Sequence, residues 1–411
     1  MKIGLYGGMA NNMYVLSYAL DHAGHDVCFI RDRNDHYAFS QPVWEDCPLT
    51  LLYNKVNESS SWSWDKWTLL ERTHNWRAPE WLADPLEPVN LIAGNIEGNV
   101  LEHMQTCDLN IVCGVIPSLT AAKSGVPYFI FPHGGDIRTA AGYHLPKTYN
   151  PLKFYEHYKS LIKPLRIAYK NAQFVASHDP TGVGGSIGDV RTRLPGIKFE
   201  RFSIPMKMES RWQCVQRKHL LKKIMISLNI TIPDAENILF VPSRIDFFWK
   251  GQDKFFRALN TITDKKVFHT IVSGWGSDFQ QMKKMYNSDS ITFLQCAVSK
   301  PILRDCFKAC DLVVDQFTFG TFGTSALEAM SCGTPVMMWI DRDMFKKQHF
   351  SIPPVINVQS ESEIRQALQD IIQGSIDLEM QGTRIQTWFN ENFSYDHAIP
   401  EMEKLIKNYF R

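Results

Sequence analysis

The nine cysteines of this chain form no CxxC pair and no Cys/His cluster at zinc spacing, which excludes the usual zinc-site and disulfide-framework patterns. Cys306 and Cys310, four apart in an expected helix, read as small buried apolar residues. No run reaches the roughly 18 apolar residues that a membrane-spanning helix needs. An excess of one charge is missing as well. Lys and Arg total 44 against 43 Asp and Glu, a formal net charge of +1, so a nucleic-acid partner is not expected. The opening MKIGLYGGMANNMYVL has no long apolar stretch with a small-residue cleavage site, so no secretory signal is read there and a reducing cytoplasmic setting is expected. Repeats and low-complexity segments are lacking too. What is present is ordinary globular composition, 44% hydrophobic and 21% charged over 411 residues, which at roughly 150 residues per domain gives two or three domains.

The N-terminal half alternates short β-prone runs with helical stretches. Lys2 to Tyr6 reads as a strand, Gly7-Gly8 as a turn, Tyr14 to His22 as a helix and Asp26 to Ile30 as a second strand. That order predicts a parallel sheet with right-handed crossovers. Leu109 to Cys113, Tyr128 to Phe131 and Phe174 to Ala176 continue it. Residues 40–100, rich in Trp, Pro and polar side chains, read as insertions on the sheet rim. A second series begins near Ile238 with the strands ILFVPS, VFHTIVSG, ITFLQC, LVVDQF and PVMMWI. A helical basic stretch, RWQCVQRKHLLKKIM, separates the two series between about Pro205 and Pro233. The expected fold class is α/β, with two doubly wound Rossmann-like domains facing an interdomain cleft. The domains are set at 1–205 and 206–391, with a C-terminal amphipathic helix (392–411) returning to the first.

In open α/β sheets, ligands bind beyond the carboxyl ends of the strands. After LVVDQF comes FGTFGTSALEAMSCGTPV, residues 319–336. Gly320 and Gly323 permit a tight turn that brings amides towards a ligand. Thr324 and Ser325 are N-cap candidates for a helix whose start favours phosphate. Glu328 falls in the first turns, where it can accept from ribose hydroxyls or serve as a helix-dipole partner. Gly333 ends the helix. After ILFVPS comes SRIDFFWKGQD, residues 243–253, where Arg244 and Lys250 are either exposed surface cations or a pair aimed at a ligand diphosphate.

FGTSALEAMSCGTPV resembles the donor-site signature of glycosyltransferase family 4, retaining enzymes with a GT-B fold. The resemblance assigns Glu328 to the nucleotide ribose and Gly320, Thr321, Phe322, Gly323 and Thr324 to the donor turn. The family's first glutamate should stand at position 320, where this chain has glycine. Asp315 is a possible substitute. The second segment resembles the family's Arg…Lys-Gly-x-Asp element, with Arg244, Lys250, Gly251 and Asp253 in matching places. SGWGSD (273–278), with Gly274, resembles the family's Gly-x-Gly turn. FLQCAV (293–298), with Ala297, falls where the base is held through the backbone. FPHGGDIR (131–138) resembles a His-Gly-x-Asp setting, so His133 is assigned to the donor sugar, with Asp136 and Arg138 near it. Gly7 and Gly8 match the N-terminal glycine loop.

The resemblance implies a glycosyltransferase that moves a sugar from a nucleotide-diphosphate sugar to a glycan, lipid-linked or small-molecule acceptor, with retention and front-face attack. No cofactor and no metal are expected. The triplet Asp341-Arg342-Asp343 lies past the signature helix. Two rivals are a GT-B sugar-nucleotide epimerase and a non-catalytic nucleotide-sugar-binding or scaffold subunit, the latter kept open by Gly320. Trp62, Trp64, Trp67, Trp76 and Trp81 suit stacking on acceptor sugars, a membrane interface or partial burial under a rim insertion, and the basic aromatic stretch 151–170 suits a peripheral membrane contact or a solvated helix covering the sheet.

Overall fold

The structure of the protein, a computed structural model, describes residues 1–7, 11–30, 45, 99–132, 135–142, 161–177, 192–209, 214–264, 266–294 and 298–410. Gly8, His133, Ala297, the five tryptophans between 62 and 81, and residues 151–160 lie outside them. The chain divides into two compact units: Met1–Val43, Ser63–Met206 and Tyr395–Arg411 form one, and Trp44–Trp62 with Lys207–Ser394 form the other.

The first unit holds a parallel sheet in the order β2-β1-β3-β4-β5-β6. Its strands are β1 (Lys2–Tyr6), β2 (Asp26–Ile30), β3 (Leu109–Val112), β4 (Tyr128–Ile130), β5 (Val175–Ser177) and β6 (Phe199–Arg201). β3 and β4 are buried throughout, as parallel strands covered on both faces must be. Asn110 is the polar exception in β3. Its amide donates to the Met104 carbonyl at 3.1 Å, and its Oδ1 would stand 2.3 Å from a side chain at Gly4, which therefore has none.

Helix Ile162–Asn171 buries Leu165, Ala168 and Tyr169 against one apolar cluster of this unit. Pro164 sits in its first turn, where an amide has no intrahelical acceptor to lose. Arg166 donates to the Ala140 carbonyl at 2.7 Å, which favours the packed-helix reading of this stretch. The other cluster takes in Met402 and Ile406 of the C-terminal helix Tyr395–Tyr409. There Phe129 stacks on Phe174 at 4.4 Å, and Tyr409 lies 4.8 Å from Phe174. His25 Nε2 meets Glu403 Oε1 at 2.5 Å.

The second unit holds a parallel sheet in the order β12-β11-β10-β7-β8-β9. Its strands are β7 (Asn237–Val241), β8 (Phe268–Val272), β9 (Ile291–Phe293), β10 (Leu312–Val314), β11 (Val336–Met338) and β12 (Ile356–Asn357). Counted from β7 as the first, this is the Rossmann order 3-2-1-4-5-6, which reverses between β7 and β10. β7, β8 and β10 supply the core with Leu239, Val241, Phe268, Val272, Leu312 and Val314. The basic stretch expected between the domains is helix Cys214–Ser227 of this unit. Its buried Arg217 pairs with Asp311 at 3.2 Å, and Asp311 also accepts from the Ile238 amide at 2.8 Å, which fixes the start of β7. Glu45 accepts from Arg304 at 3.3 Å in the same unit.

Two local expectations are corrected. LVVDQF is a strand only to Val314; beyond it Asp315 turns its buried carboxylate to Lys250 and Gln316 turns its amide to the loop that follows. The signature helix Thr324–Ser331 is preceded by Gly323 as N-cap, so Thr324 and Ser325 are its first residues rather than its caps. No described helix is long and apolar enough to cross a membrane.

Candidate functional site

The strand order of the second unit puts its ligand-binding crevice beyond the carboxyl ends of β7 and β10, and the segments after those two strands are built around buried polar groups. After β7, the fully buried Gln252 holds the turn from below. Its Nε2 donates to the Arg244 carbonyl at 2.7 Å and its Oε1 accepts from the Asp246 amide at 3.1 Å. Asp246 in turn accepts from the Trp249 amide at 2.9 Å. Gly251 is left-handed, at φ 67°, and an added Cβ would lie 2.5 Å from Thr318 Oγ1 of the neighbouring loop. Across that approach the Phe317 amide donates to the Lys250 carbonyl at 2.7 Å.

Lys250 is thereby delivered to Asp315. Its Nζ lies 3.1 Å from Oδ1 of that fully buried carboxylate, whose Oδ2 has no partner. A Cβ on Gly323 would be 3.5 Å from the Lys250 ammonium, so the cation stands beside the start of helix Thr324–Ser331. No side chain caps that helix, and its first amides have no intrahelical acceptor. Arg244 is held loosely by comparison. Its side chain is 47% exposed and its Nε is 3.7 Å from Asp246 Oδ2.

The loop after β10 is organised by Gln316, which donates to the Thr321 carbonyl and accepts from the Phe319 amide at 2.9 Å. Gly320 has φ 67°, and a Cβ there would fall 2.8 Å from Asp341 Cβ. Glycine at this place is therefore a backbone requirement as well as a departure from the family pattern. Phe322 packs its ring against Phe345, Trp388 and Phe393, which leaves its backbone to the turn. Thr321 Oγ1 is buried without a partner.

Glu328, the fifth residue of the helix, is 9% exposed. Its Oε1 accepts from Lys300, while its Oε2 is buried without a partner among the described residues. Sequence reasoning missed Lys300, because no spacing rule links positions 300 and 328. The turn 273–278 leans on the Arg244 loop. Gly276 has φ 118° and would clash with the Ile245 backbone at 2.2 Å if it carried a Cβ, and the Ile245 amide donates to the Trp275 carbonyl at 2.9 Å. Gly274 belongs to this turn, and Ala297 lies outside the described residues.

Not every motif residue joins the site. Asp253 pairs with Arg257 one helical turn on, at 2.6 Å. Asp341 caps the helix Arg342–Lys347 by accepting from the Met344 amide at 3.0 Å. Among the described residues no group of three His, Cys, Asp or Glu could hold a metal. Cys332, just past the signature helix, has its thiol pushed up to about 12 by burial, so it is no thiolate nucleophile.

In the first unit, β1 lies between β2 and β3. Gly7, at φ 131°, passes so close to this strand end that a Cβ would lie 2.1 Å from the Cys113 carbonyl. Buried Asp136 accepts from the Gly114 amide at 3.0 Å, tying the connection after β4 to the one after β3. Burial, reinforced by the Asp136 charge, pushes the Tyr169 hydroxyl well up. His133 and Gly8 lie outside the described residues.

With this geometry in hand, residues 226–340 match the family described as Glycosyl transferases group 1. That span runs from the end of helix Cys214–Ser227 through β11 and contains both loops of the site. Along nearly its whole length the chain superposes on solved structures of low identity. The Anabaena HepE structure in complex with UDP-glucose has a TM-score of 0.63 at 13% identity, covering 99% of this chain and 100% of that one. Sucrose-phosphate synthase from Thermosynechococcus elongatus has 0.62 at 15%, covering 100% and 99%. The fold is GT-B.

Another GT-B structure, the catalytic domain of starch synthase IV from Arabidopsis thaliana bound to ADP and acarbose, has a TM-score of 0.60 at 12% identity, covering 100% and 99%. No curated protein matches the sequence. The group 1 match and the GT-B fold together support a glycosyltransferase.

Proposed function

We propose that the protein transfers a sugar, of the hexosyl kind, from a nucleotide-diphosphate sugar to a hydroxyl acceptor, with retention of configuration as in glycosyltransferase family 4. The observation that carries this reading is the Lys250 ammonium, held by a fully buried Asp315 beside an uncapped helix start at the switch of strand order. Departure of a nucleoside diphosphate builds negative charge on phosphate oxygens. A cation already fixed there, with free helix amides next to it, stabilises the transition state more than the ground state. Arg244, exposed and loosely held, closes on the same oxygens, and the amides of Gly320 to Thr324 complete the cradle.

Glu328 Oε2 is the acceptor for the ribose. The family resemblance assigns the base to the backbone at Gly274 and Ala297, and the donor sugar and phosphate to His133, Gly7 and Gly8. The acceptor hydroxyl, on a glycan, lipid-linked or small molecule, passes its proton to the departing phosphate. No metal is required, because Lys250, Arg244 and the amides neutralise the diphosphate. A cytoplasmic setting, at or away from a membrane face, suits a sequence whose nine cysteines form no disulfide-framework pattern.

The test is a thermal-shift screen against UDP, GDP, ADP, CMP and dTDP and their sugars, repeated with Arg244→Ala and Glu328→Ala. A ligand at about 100 times its Kd adds about 2.7 kcal/mol of stability. Stabilisation by one nucleoside diphosphate, lost in both variants, is the expected result. No stabilisation of a folded sample by any of them would overturn the transferase reading in favour of a scaffold. Epimerised donor in the absence of acceptor would replace it with an epimerase.

A further inference from the structure

Lys300 breaks two local rules at once. It is 6% exposed, although lysine is rarely buried unless paired. It is also the first residue of helix Lys300–Ala309, where the positive end of the helix dipole repels a cation. Neither cost is relieved by its own helix. Ser299, the N-cap, makes no side-chain capping bond, and its buried hydroxyl has no partner. The compensation comes from another helix, through the carboxylate of Glu328.

That carboxylate is divided. Lys300 takes Oε1, and among the described residues Oε2 is left buried and unpartnered. A pair made only for stability would satisfy both oxygens, because an unsatisfied buried acceptor costs free energy. One oxygen fixed and one open is instead the arrangement of a group that receives a ligand hydroxyl.

We propose that Lys300 is the positioning residue of the ribose subsite. It holds Oε1 of Glu328 and so fixes the rotamer of the side chain, leaving Oε2 to accept from a ribose hydroxyl. This rests on the donor-site reading of Glu328, and the experiment separates the two. The probes are UDP, ADP and GDP with their 2′,3′-dideoxy counterparts, titrated calorimetrically into the full chain. The readout is the preference for the ribonucleotide over its dideoxy partner, which a merely structural role for Lys300 would leave unchanged.

Wild-type protein prefers the ribonucleotide by about tenfold or more, the worth of a hydrogen bond to a charged group. Glu328→Gln loses this preference. Lys300→Met loses it too while binding the dideoxy nucleotide within about twofold of wild type, and Lys300→Arg recovers part of it. The double variant Lys300→Met/Glu328→Gln, which leaves no unpaired buried charge, matches Glu328→Gln alone.

If Glu328→Gln keeps the wild-type preference, the ribose reading of Glu328 fails, and with it the role of Lys300. If Glu328→Gln loses the preference but Lys300→Met keeps it, only the positioning role fails. A double variant that binds the ribonucleotide more than about threefold worse than Glu328→Gln overturns the proposal as well, since Lys300 would then act independently of Glu328.

Discussion

The two sheets are alike in size and strand direction, yet the connections at their carboxyl ends are built differently. In the first unit the approach of β1 to β3 is a matter of space, with Gly7 lying against the Cys113 carbonyl and Asp136 receiving the Gly114 and Ile137 amides. In the second unit the corresponding region is a matter of charge. Two lysines, Lys250 and Lys300, are paired there with buried carboxylates, and each carboxylate keeps one oxygen without a partner. Buried pairs of this kind bring little net stability, because desolvation offsets attraction. Both pairs lie on the unit that carries the glycosyl transferases group 1 match.

Lys250→Met tests this contrast most severely. Leaving Asp315 buried without its cation should cost about 3 kcal/mol in denaturant unfolding, with Asp315→Asn in the same chain restoring most of it. Nucleoside-diphosphate binding should stay lost in the double variant. Recovery of binding along with stability would mean that the pair is structural.

The space-limited joints come next. Gly7→Ala and Gly276→Ala, one in each unit, both force a side chain onto backbone at positive φ, and each should cost roughly 2–3 kcal/mol. Equal losses with nucleotide binding reduced only by Gly276→Ala would sharpen the division between the units. Gly320→Glu, which restores the family's first glutamate, should cost about 2 kcal/mol and bring no gain in activity, because φ is 67° and Asp341 fills the space. A more active variant would show that the loop can refold around the glutamate.

Titration gives a smaller effect. Burial lowers the His269 imidazole from the ordinary 6.5 to about 4. Its folded pKa is depressed, so the unfolded chain binds the proton more readily. Stability is therefore full above pH 6.5 and falls as the pH drops towards 4. His269→Gln should flatten that part of a stability–pH curve, and an unchanged slope would remove His269 as its source. The smallest effect is Asp253→Ala, which removes one exposed helix pair with Arg257 and should cost about 0.3 kcal/mol by thermal melt. A large loss of nucleotide binding would instead bring Asp253 into the site.

Much of this was legible in advance. Short apolar runs separated by helical stretches announced parallel sheets, and Gly333 marked the end of the signature helix, where φ is 68°. Arg244, Lys250 and Glu328 were singled out because motif and strand end coincide, and the structure places them on the segments that follow β7 and β10. Lys300 was not, because a buried pair 28 residues apart leaves no periodic trace. The same limit applied to Asp315, whose pairing with Lys250 spans 65 residues.

Composition and periodicity by themselves determined the α/β class and the two strand series, since these follow from local backbone preference and the alternation of apolar runs. Only the tertiary structure decided that β7 and β10 are neighbours, that glycine is required at position 320, and that Glu328 shares its carboxylate with Lys300. Those facts depend on which distant segments the packing brings within a few ångströms, and no local pattern encodes that distance.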